Sequence, residues 1–207
     1  MKRRLKDFPL VSLKLEDIGS EKFFEGIFGR PGPIHIEIGT GKGGFLLNEA
    51  RSQPDANFLG IEWARKYYRY TVDRIGRWGL KNVRIIRTDA VHFLTEFIPD
   101  SSVDCFHIYF PDPWPKKRHH KRRLFCAENL KHLLRGLKTG GELKIATDHA
   151  EYFDVIKKLI AAENNMLEEI EFTRPMGAEV GEWVGTNFER KYLKQNIPIY
   201  TLAVRKI

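Results

Sequence analysis

Five carboxylates lie at or just beyond the ends of short apolar segments of this chain: Glu37, Glu62, Asp89, Asp112 and Asp148. The carboxyl ends of neighbouring parallel strands meet at one edge of a sheet, so these side chains are expected to share that edge. Carboxylates placed together suit a cation, the hydroxyls of a sugar or the N–H groups of a base. An acid before a helix also caps that helix, and for Asp148 taken alone both interpretations stay open.

A glycine-rich turn lies between the first clear strand and the helix that follows it. Residues 34–38 form the strand, residues 39–44 read GTGKGG, and residues 45–51 have a helical pattern. Glycines are needed where a backbone takes positive φ or approaches a ligand, and a helix N-terminus offers free N–H groups. The turn satisfies GxGxxG, a weak signal by itself, and it is not a P-loop because Lys42 is followed by glycine.

The acids around this turn indicate which cofactor it holds. Glu62 follows Gly39 by about 20 residues, the distance at which an acid binds the hydroxyl pair of a ribose. NAD and S-adenosylmethionine both satisfy that requirement. Glu37, however, lies just before the turn, where it would repel a pyrophosphate and attract a sulfonium or an α-amino group. The acids therefore favour S-adenosylmethionine.

The main charge feature is the stretch 110–123, which reads FPDPWPKKRHHKRR. Its three prolines end the preceding apolar strand and hold Asp112 on a stiff turn. The stretch contains most of the excess charge of a chain whose net charge is +8, which favours a polyanionic partner, either nucleic acid or an anionic membrane. A solvated basic loop is the alternative, but it gives no reason for a proline-clamped acid beside a tryptophan.

The chain has 207 residues and no linker or repeat, which predicts one domain. Alternating strands and helices predict a doubly wound α/β fold with a mostly parallel sheet. At the C-terminal end an antiparallel edge pair is expected, joined by a long polar loop with a short helix near Phe188. We expect residues 1–33 to form an N-terminal arm covering a domain of residues 34–207. The predicted strands are 34–38, 57–62, 83–88, 103–110, 143–147, 168–173 and 197–204, with a turn at Gly140 and Gly141.

The remaining composition narrows the class of protein. No apolar run approaches the roughly 18 residues of a membrane span, and the basic start leads into polar residues rather than an apolar signal core, so we expect a cytoplasmic protein that binds no membrane. Cys105 and Cys126 form no CxxC pair and are interpreted as buried apolar residues. No histidine spacing is typical of a metal site, so no metal is expected. Monomer and homodimer both stay open.

Five longer motifs run through the chain: EIGTGKGGF at 37–45, GIEW at 60–63, FPDPWPKKRHHKRRL at 110–124, ATD at 146–148 and GTNFERKYL at 185–193. With these motifs the chain resembles the bacterial tRNA (guanine-N7-)-methyltransferase family. The first motif is shared by many methyltransferases, whereas the third and the last are specific to this family. Asn196 stands where the family pattern has glycine, and asparagine adopts the same positive-φ turn.

The resemblance implies a seven-stranded methyltransferase sheet. It also implies methyl transfer from S-adenosylmethionine to N7 of a tRNA guanine, the variable-loop guanosine, with Asp112 as the catalytic residue. The implied cofactor-binding residues are Glu37, Gly39, Gly41, Glu62, Asp89 and Asp112. The implied substrate-binding residues are Lys116, Asp148, Thr186, Asn187, Phe188 and Glu189. In the basic stretch, the residues expected to contact RNA are Lys117, Arg118, His119, Lys121, Arg122 and Arg123.

The chemistry of guanine N7 fits these residues. N7 has an in-plane lone pair and no proton, so in-line attack on a methyl group needs no general base and positioning supplies most of the rate. Positive charge appears on the purine, where a fixed carboxylate such as Asp112 stabilises it. Asp148 and Glu189 are suited to accept hydrogen bonds from guanine N1–H and N2–H. Trp114 or Phe188 is suited to stack on the base, unless these rings are ordinary core residues.

Three other functions remain as alternatives. A non-catalytic RNA-binding protein would explain the charge but not carboxylates at the centre of a phosphate-binding surface. A methyltransferase of another RNA base would keep the fold and the cofactor. A nicotinamide enzyme would have no use for the basic stretch unless its substrate were polyanionic.

Overall fold

The computed structural model describes residues 4–19 and 23–207. Eight strands of this part of the chain form one sheet, in the order β1-β4-β3-β2-β5-β6-β8-β7. They are β1 (Ser12–Leu13), β2 (Ile34–Ile38), β3 (Asn57–Ile61), β4 (Val83–Ile86), β5 (Val103–Tyr109), β6 (Leu137–Thr147), β7 (Leu167–Ile170) and β8 (Tyr200–Lys206). Neighbours from β1 to β6 are parallel, and β8 is antiparallel to both β6 and β7. The predicted α/β fold with an antiparallel C-terminal pair is confirmed.

Among the described residues, seven α-helices connect or flank the strands. They are α1 (Phe23–Phe28), α2 (Gly44–Ser52), α3 (Arg65–Arg77), α4 (Ala90–Glu96), α5 (Ala127–Gly136), α6 (Ala150–Ala161) and α7 (Asn187–Leu193). Two 3-10 helices, Leu15–Asp17 and Lys117–Arg122, lie in loops. In the part of the chain that the structure describes, no helix is long and apolar enough to cross a bilayer.

The strand order reverses next to β2, which determines where a ligand binds. From β2 the chain moves outward through β3 to β4, then returns to place β5 on the other side of β2. Ligands of open α/β sheets bind beyond the carboxyl ends of the strands at such a reversal. The glycine turn after β2 lies at this point, with the ends of β3 and β5 on either side.

The N-terminal arm supplies the eighth strand, one more than the seven expected. Residues Ser12–Leu13 pair with β4 in parallel, and the hydroxyls of Ser12 and Tyr68 lie 2.5 Å apart. The ring of Phe8 packs on α3 at Gly76, where an added Cβ would meet the ring at 2.1 Å. Phe23, Phe24 and Phe28 of the same arm are buried in the core. The arm thus packs on the sheet and helix α3 along its edge.

The turn predicted at Gly140 and Gly141 does not separate α5 from β6, because β6 already begins at Leu137. Both glycines lie inside the strand, which pairs with β5 at Leu137 and resumes in shifted register at Glu142. The irregularity is a bulge, a place where glycine supplies the unusual backbone angles; Gly140 has φ +81°. A glycine pair that looks like a turn in sequence therefore bends a strand without ending it.

Two apolar clusters hold helices on the two faces of the sheet. Helices α4, α5 and α6 contribute to one cluster, whereas α2 and α3 contribute to the other. Close packing of α2 depends on Gly60 in β3, because an added Cβ would lie 2.6 Å from both Leu46 and Thr40. A methyl group there would force the turn before α2 away from β3, so glycine at this position fixes the turn against the sheet.

Candidate active site

Glu62 is held in a fixed orientation at the end of β3. Its Oε2 accepts a hydrogen bond from Gly41 N at 2.8 Å, and its Oε1 accepts one from Ala64 N at 2.7 Å. Burial raises the pKa of this carboxyl; the two backbone donors oppose that effect and the nearby charge of Asp112 adds to it. Each oxygen keeps a further lone pair, so the oriented carboxylate is able to accept hydrogen bonds from a diol.

Glu37 is the most unusual group in the site. Its side chain is 3% exposed, and Oε2 has no hydrogen-bond partner among the described residues. Burial, followed by the charge of Glu62, raises the pKa of Glu37 well above its ordinary value. An unsatisfied buried carboxylate costs stability, and a cationic or hydrogen-donating ligand removes that cost. The residue therefore fits the amino or sulfonium group expected from the sequence.

The glycine turn is shaped by positive φ angles and by contact with α3. Gly39 has φ +84° and Gly41 has φ +52°. No atom lies within 4 Å of a Cβ built on Gly39, so the space above it is open to a ligand. At the back of the turn, Thr71 of α3 donates a hydrogen bond to Gly41 O at 2.9 Å. The turn is thus fixed from behind and open in front.

A cavity of about 180 Å³ joins this turn to α7. It brings together Glu37, Gly39 and Gly41 with the predicted substrate residues Thr186, Asn187 and Phe188, as the motifs implied. Phe188 is 47% exposed and forms part of the wall, so its ring is available to stack on a planar ligand. Sequence reasoning did not single out several other wall residues: Thr40, Lys42, Gly44, Phe45, Tyr67, Tyr109 and Lys191. Four of these seven lie within the glycine motif itself and Lys191 lies within the motif GTNFERKYL, but nothing in the sequence marks the two tyrosines.

Asp89 and Asp112 lie at the same edge of the sheet but outside the cavity wall. Both are exposed. Asp89 Oδ1 accepts a hydrogen bond from His92 N at 2.9 Å and caps α4. Asp112 is close enough to Glu62 to raise the pKa of that carboxyl. The capping interpretation thus applies to Asp89, and the assignment of both acids to the cofactor stays a prediction.

The open question on Asp148 is answered by its neighbour. His149, not Asp148, caps α6, since its Nδ1 accepts a hydrogen bond from Tyr152 N at 3.3 Å. Asp148 instead lies beside Tyr192 of α7. The pKa of the Tyr192 phenol is raised first by the burial of that side chain and then by the charge and the hydrogen bond of Asp148. Asp148 therefore faces the α7 side of the site, where Thr186, Asn187 and Phe188, the residues predicted to bind the substrate, are located.

Glu189 requires a correction. It was expected to accept hydrogen bonds from the guanine edge, but it is fully buried and its carboxylate accepts hydrogen bonds from three successive backbone amides. The N–H groups are those of Trp183, of Val184 at 3.0 Å and of Gly185 at 2.7 Å. The residue holds the loop before α7 in place, and Thr186 caps the helix by accepting from Glu189 N at 3.1 Å. Glu189 is thus a positioning residue.

The basic loop leaves the sheet after β5 and forms the 3-10 helix Lys117–Arg122. Trp114 at its root is half-buried. The Arg122 guanidinium lies 5.0 Å from the Trp114 ring, and His119 contacts that ring edge-on with centroids 5.8 Å apart. Trp114 therefore packs within the loop, and Phe188 is the better placed ring for stacking. Lys116, Lys117, Arg118, Lys121 and Arg122 are exposed.

Arg123 departs from the other cations of the loop. It is 5% exposed, donates to Pro113 O at 2.7 Å and forms two hydrogen bonds with the Glu151 carboxylate. Its guanidinium also lies 4.6 Å from the Tyr152 ring. These contacts occupy the side chain, so the expected RNA contact is replaced by an anchoring role. Arg123 fixes the end of the loop to α6.

A second polar cluster spans β2 and β5 and reaches the wall of the cavity at Tyr109. His107 Nε2 lies 3.1 Å from His35 Nδ1, and His107 Nδ1 lies 2.9 Å from the Tyr109 hydroxyl and 4.0 Å from Cys105 Sγ. Burial lowers the pKa of His35 to about 4 and that of His107 well below its ordinary value. The imidazoles are thus neutral and hydrogen-bonded. Cys105 is buried as expected and Cys126 half-buried; the absence of a metal stays a prediction.

Comparison with known proteins agrees with this geometry. A family model described as "Putative methyltransferase" matches residues 31–202. A tRNA (guanine-N(7)-)-methyltransferase of Alkalilimnicola ehrlichii is 35% identical over 96% of this chain and 83% of its own length. One of Rhodopirellula baltica is 34% identical over 92% of this chain and 72% of its own length. The chain belongs to the tRNA (guanine-N7-)-methyltransferase family.

Solved structures share the fold of this family member. A 30S ribosomal A1408 methyltransferase from an uncultured bacterium superposes with a TM-score of 0.63, at 17% identity, over 91% of this chain and 95% of its own. A SAM-dependent methyltransferase from Aquifex aeolicus superposes with a TM-score of 0.53, at 17% identity, over 93% and 90%. At these identities the likeness describes the architecture alone, and it agrees with the Rossmann-like sheet seen here.

Proposed function

We propose that this chain transfers a methyl group from S-adenosylmethionine to N7 of a guanine in tRNA, and that the guanine is the one in the variable loop. The observation that carries the proposal is the unsatisfied Oε2 of Glu37, buried beside an open glycine turn and next to the oriented carboxylate of Glu62. This pair of carboxylate acceptors suits a cationic nucleoside. When bound, S-adenosylmethionine supplies an activated methyl group.

Within the cofactor site, Glu37 would hold the cationic part of the molecule and Glu62 the ribose hydroxyls. Gly39 and Gly41 allow the backbone to approach the ligand closely, since no side chain projects from the turn at these positions. We assign Asp89 and the exposed Asp112 to the rim of this site, at the ends of β4 and β5. These roles follow from position and chemistry together.

For the reaction itself, Asp112 is our candidate catalytic residue. The proline-rich turn after β5 fixes its backbone, and its charge already acts on Glu62. A carboxylate fixed near the acceptor stabilises the positive charge that develops on the purine. No side chain has to remove a proton from N7, so orientation of the base contributes most of the rate.

Recognition of the base falls to the α7 side of the cavity. The exposed ring of Phe188 offers a stacking surface, and Asp148 is able to accept hydrogen bonds from the N1–H and N2–H groups that distinguish guanine from adenine. Asn187 lies in the same wall. Lys116 and the exposed cations of the basic loop would bind tRNA phosphates, which makes binding weaken as salt rises.

The test uses unmodified tRNA and methyl-labelled S-adenosylmethionine, with the RNA digested to nucleosides. We expect label in 7-methylguanosine at the variable loop, and a loss of at least about 100-fold in kcat for Asp112→Asn, comparable to removing one fixed electrostatic group from an active site. S-adenosylmethionine binding by the variant should weaken much less than kcat falls, because Glu37 and Glu62 still hold the cofactor. Label in another nucleoside would contradict the base specificity, and an active Asp112→Asn would contradict the catalytic assignment.

A further inference from the structure

Helix α3 presents an exposed basic face that the site does not use. Five of its 13 residues are Arg or Lys. Arg65, Lys66 and Arg69 are exposed, and they have no ion-pair partner among the described residues. The exposed face also carries Tyr70, which is 42% exposed.

No acid on α3 offsets these cations. The only acidic residue of the helix is Asp73, which is buried and pairs with Arg77 at 2.8 Å. Exposed helix faces usually mix both signs of charge. An unbalanced cationic face with a protruding aromatic ring has the composition of a surface that binds a nucleic-acid backbone and one of its bases.

The position of α3 relates this face to the candidate active site. The helix begins three residues after Glu62, and its Tyr67 forms part of the cavity wall. Arg74 donates a hydrogen bond to Lys42 O at 3.1 Å, which joins the helix to the glycine turn. Because β3 and β5 lie on opposite sides of β2, α3 and the basic loop leave the sheet on opposite sides of that turn.

We infer that Arg65, Lys66, Arg69 and Tyr70 form a second tRNA-binding surface, which holds the RNA on the side of the cavity opposite the basic loop. The inference rests on the proposed function and deepens it. Two cationic surfaces flanking the cavity would hold the RNA across its mouth, so that a base released from its stack points at Phe188.

The experiment compares two charge-matched variants. Arg65→Glu/Arg69→Glu changes the proposed surface, and Lys157→Glu/Lys158→Glu makes the same change of net charge on exposed residues of α6, on the other face of the sheet. The dissociation constant for unmodified tRNA is measured from about 50 to 200 mM salt, together with S-adenosylmethionine affinity and methylation kinetics. Arg65→Gln/Arg69→Gln repeats the test without charge reversal.

For the α3 variant we expect tRNA binding about 10-fold weaker or more and a salt slope smaller by about 2, one unit for each lost phosphate contact. S-adenosylmethionine affinity and kcat at saturating tRNA should stay unchanged. The α6 variant should retain the wild-type slope. Equal effects of the two variants, or a wild-type slope in the α3 variant, would overturn the inference. A wild-type protein that methylates no tRNA would refute the proposed function instead, and the binding comparison would still decide on this surface.

Discussion

Replacing Glu37 by glutamine separates cofactor binding from fold stability. The substitution removes a buried charge that has no hydrogen-bond partner at Oε2, so the free protein should be as stable as wild type at acidic pH and more stable at higher pH. The same substitution removes the group that attracts a cation. Free-protein stability and cofactor affinity should therefore change in opposite directions.

The affinity change follows from the energy of one charge-assisted hydrogen bond. Such a bond contributes about 1.5–3 kcal/mol, which corresponds to about 10- to 150-fold in Kd. At a ligand concentration of about 100 times the wild-type Kd, binding stabilises the wild-type protein by about 2.7 kcal/mol; after a 100-fold loss of affinity the same concentration gives about 0.4 kcal/mol. For a domain of this size 1 kcal/mol shifts Tm by about 2–4 °C, so the ligand-induced shift should fall from about 5–11 °C to about 1–2 °C.

The direction in which pH changes the stability of the free protein follows from the raised pKa of Glu37. The pKa of Glu37 is raised by folding, so above the ordinary pKa of about 4.5 the folded state binds more protons than the unfolded state. The free wild-type protein should lose stability as pH rises from there through the raised pKa. The glutamine variant lacks this loss. Affinity for the cationic ligand should increase over the same window in wild type, because the ligand favours the carboxylate.

The assay is thermal unfolding with and without S-adenosylmethionine, from about pH 5 to pH 8. The control is Glu182→Gln, which changes a buried carboxylate that is paired with Arg190. That variant should destabilise the free protein and leave the ligand-induced shift intact. If Glu37→Gln keeps the full ligand-induced shift, the assignment of Glu37 to the cofactor is wrong.

Two further substitutions test the corrected roles. Glu189→Gln should lower Tm by several degrees and raise KM for tRNA with unchanged S-adenosylmethionine affinity, because an amide has one acceptor oxygen for three backbone donors. The control is Glu179→Gln, which changes an exposed carboxylate. Equal losses of tRNA binding and cofactor binding in Glu189→Gln would contradict this role. Arg123→Met should weaken tRNA binding without changing its salt slope, because it loosens the loop but removes no phosphate contact, whereas Lys121→Met should reduce the slope by about 1. Filter binding at several salt concentrations distinguishes the two, and a reduced slope for Arg123→Met would restore it as an RNA contact.

The sequence was sufficient for the parallel core of the fold because each buried strand is a short apolar run bounded by turn residues. It was not sufficient for β1, since two residues are too few to show a period of alternation. The strand predicted at 143–147 was also shorter than β6, which spans Leu137–Thr147. Gly140 and Gly141 have the composition of a turn, and only the pairing of Leu137 and Glu142 with β5 on either side of them reveals that the strand continues through a bulge.

The site was predictable where its residues are adjacent in sequence. Glu37 and the glycines belong to one strand–turn–helix unit, so their spacing already describes their geometry. The roles of Glu189 and Arg123 depend on which atoms surround them after folding. Glu189 looks like an ordinary first-turn residue of the helix Asn187–Leu193 in sequence, and Arg123 looks like its neighbours until Glu151 and Tyr152 pack against it.

The proposed function needs acidic groups for the cofactor and basic groups for the RNA, and the fold places these groups at different depths. Glu37 and Glu62 are 3% and 7% exposed, whereas the cations of the basic loop and of α3 lie on the surface. Burial makes Glu37 bind a proton more readily in the free protein, and a cationic ligand replaces that proton when it binds. The net charge beneath the surface therefore changes little between the free and the bound state. The surface cations keep their attraction for a polyanion in both states, and the acids needed for the cofactor do not have to repel the RNA.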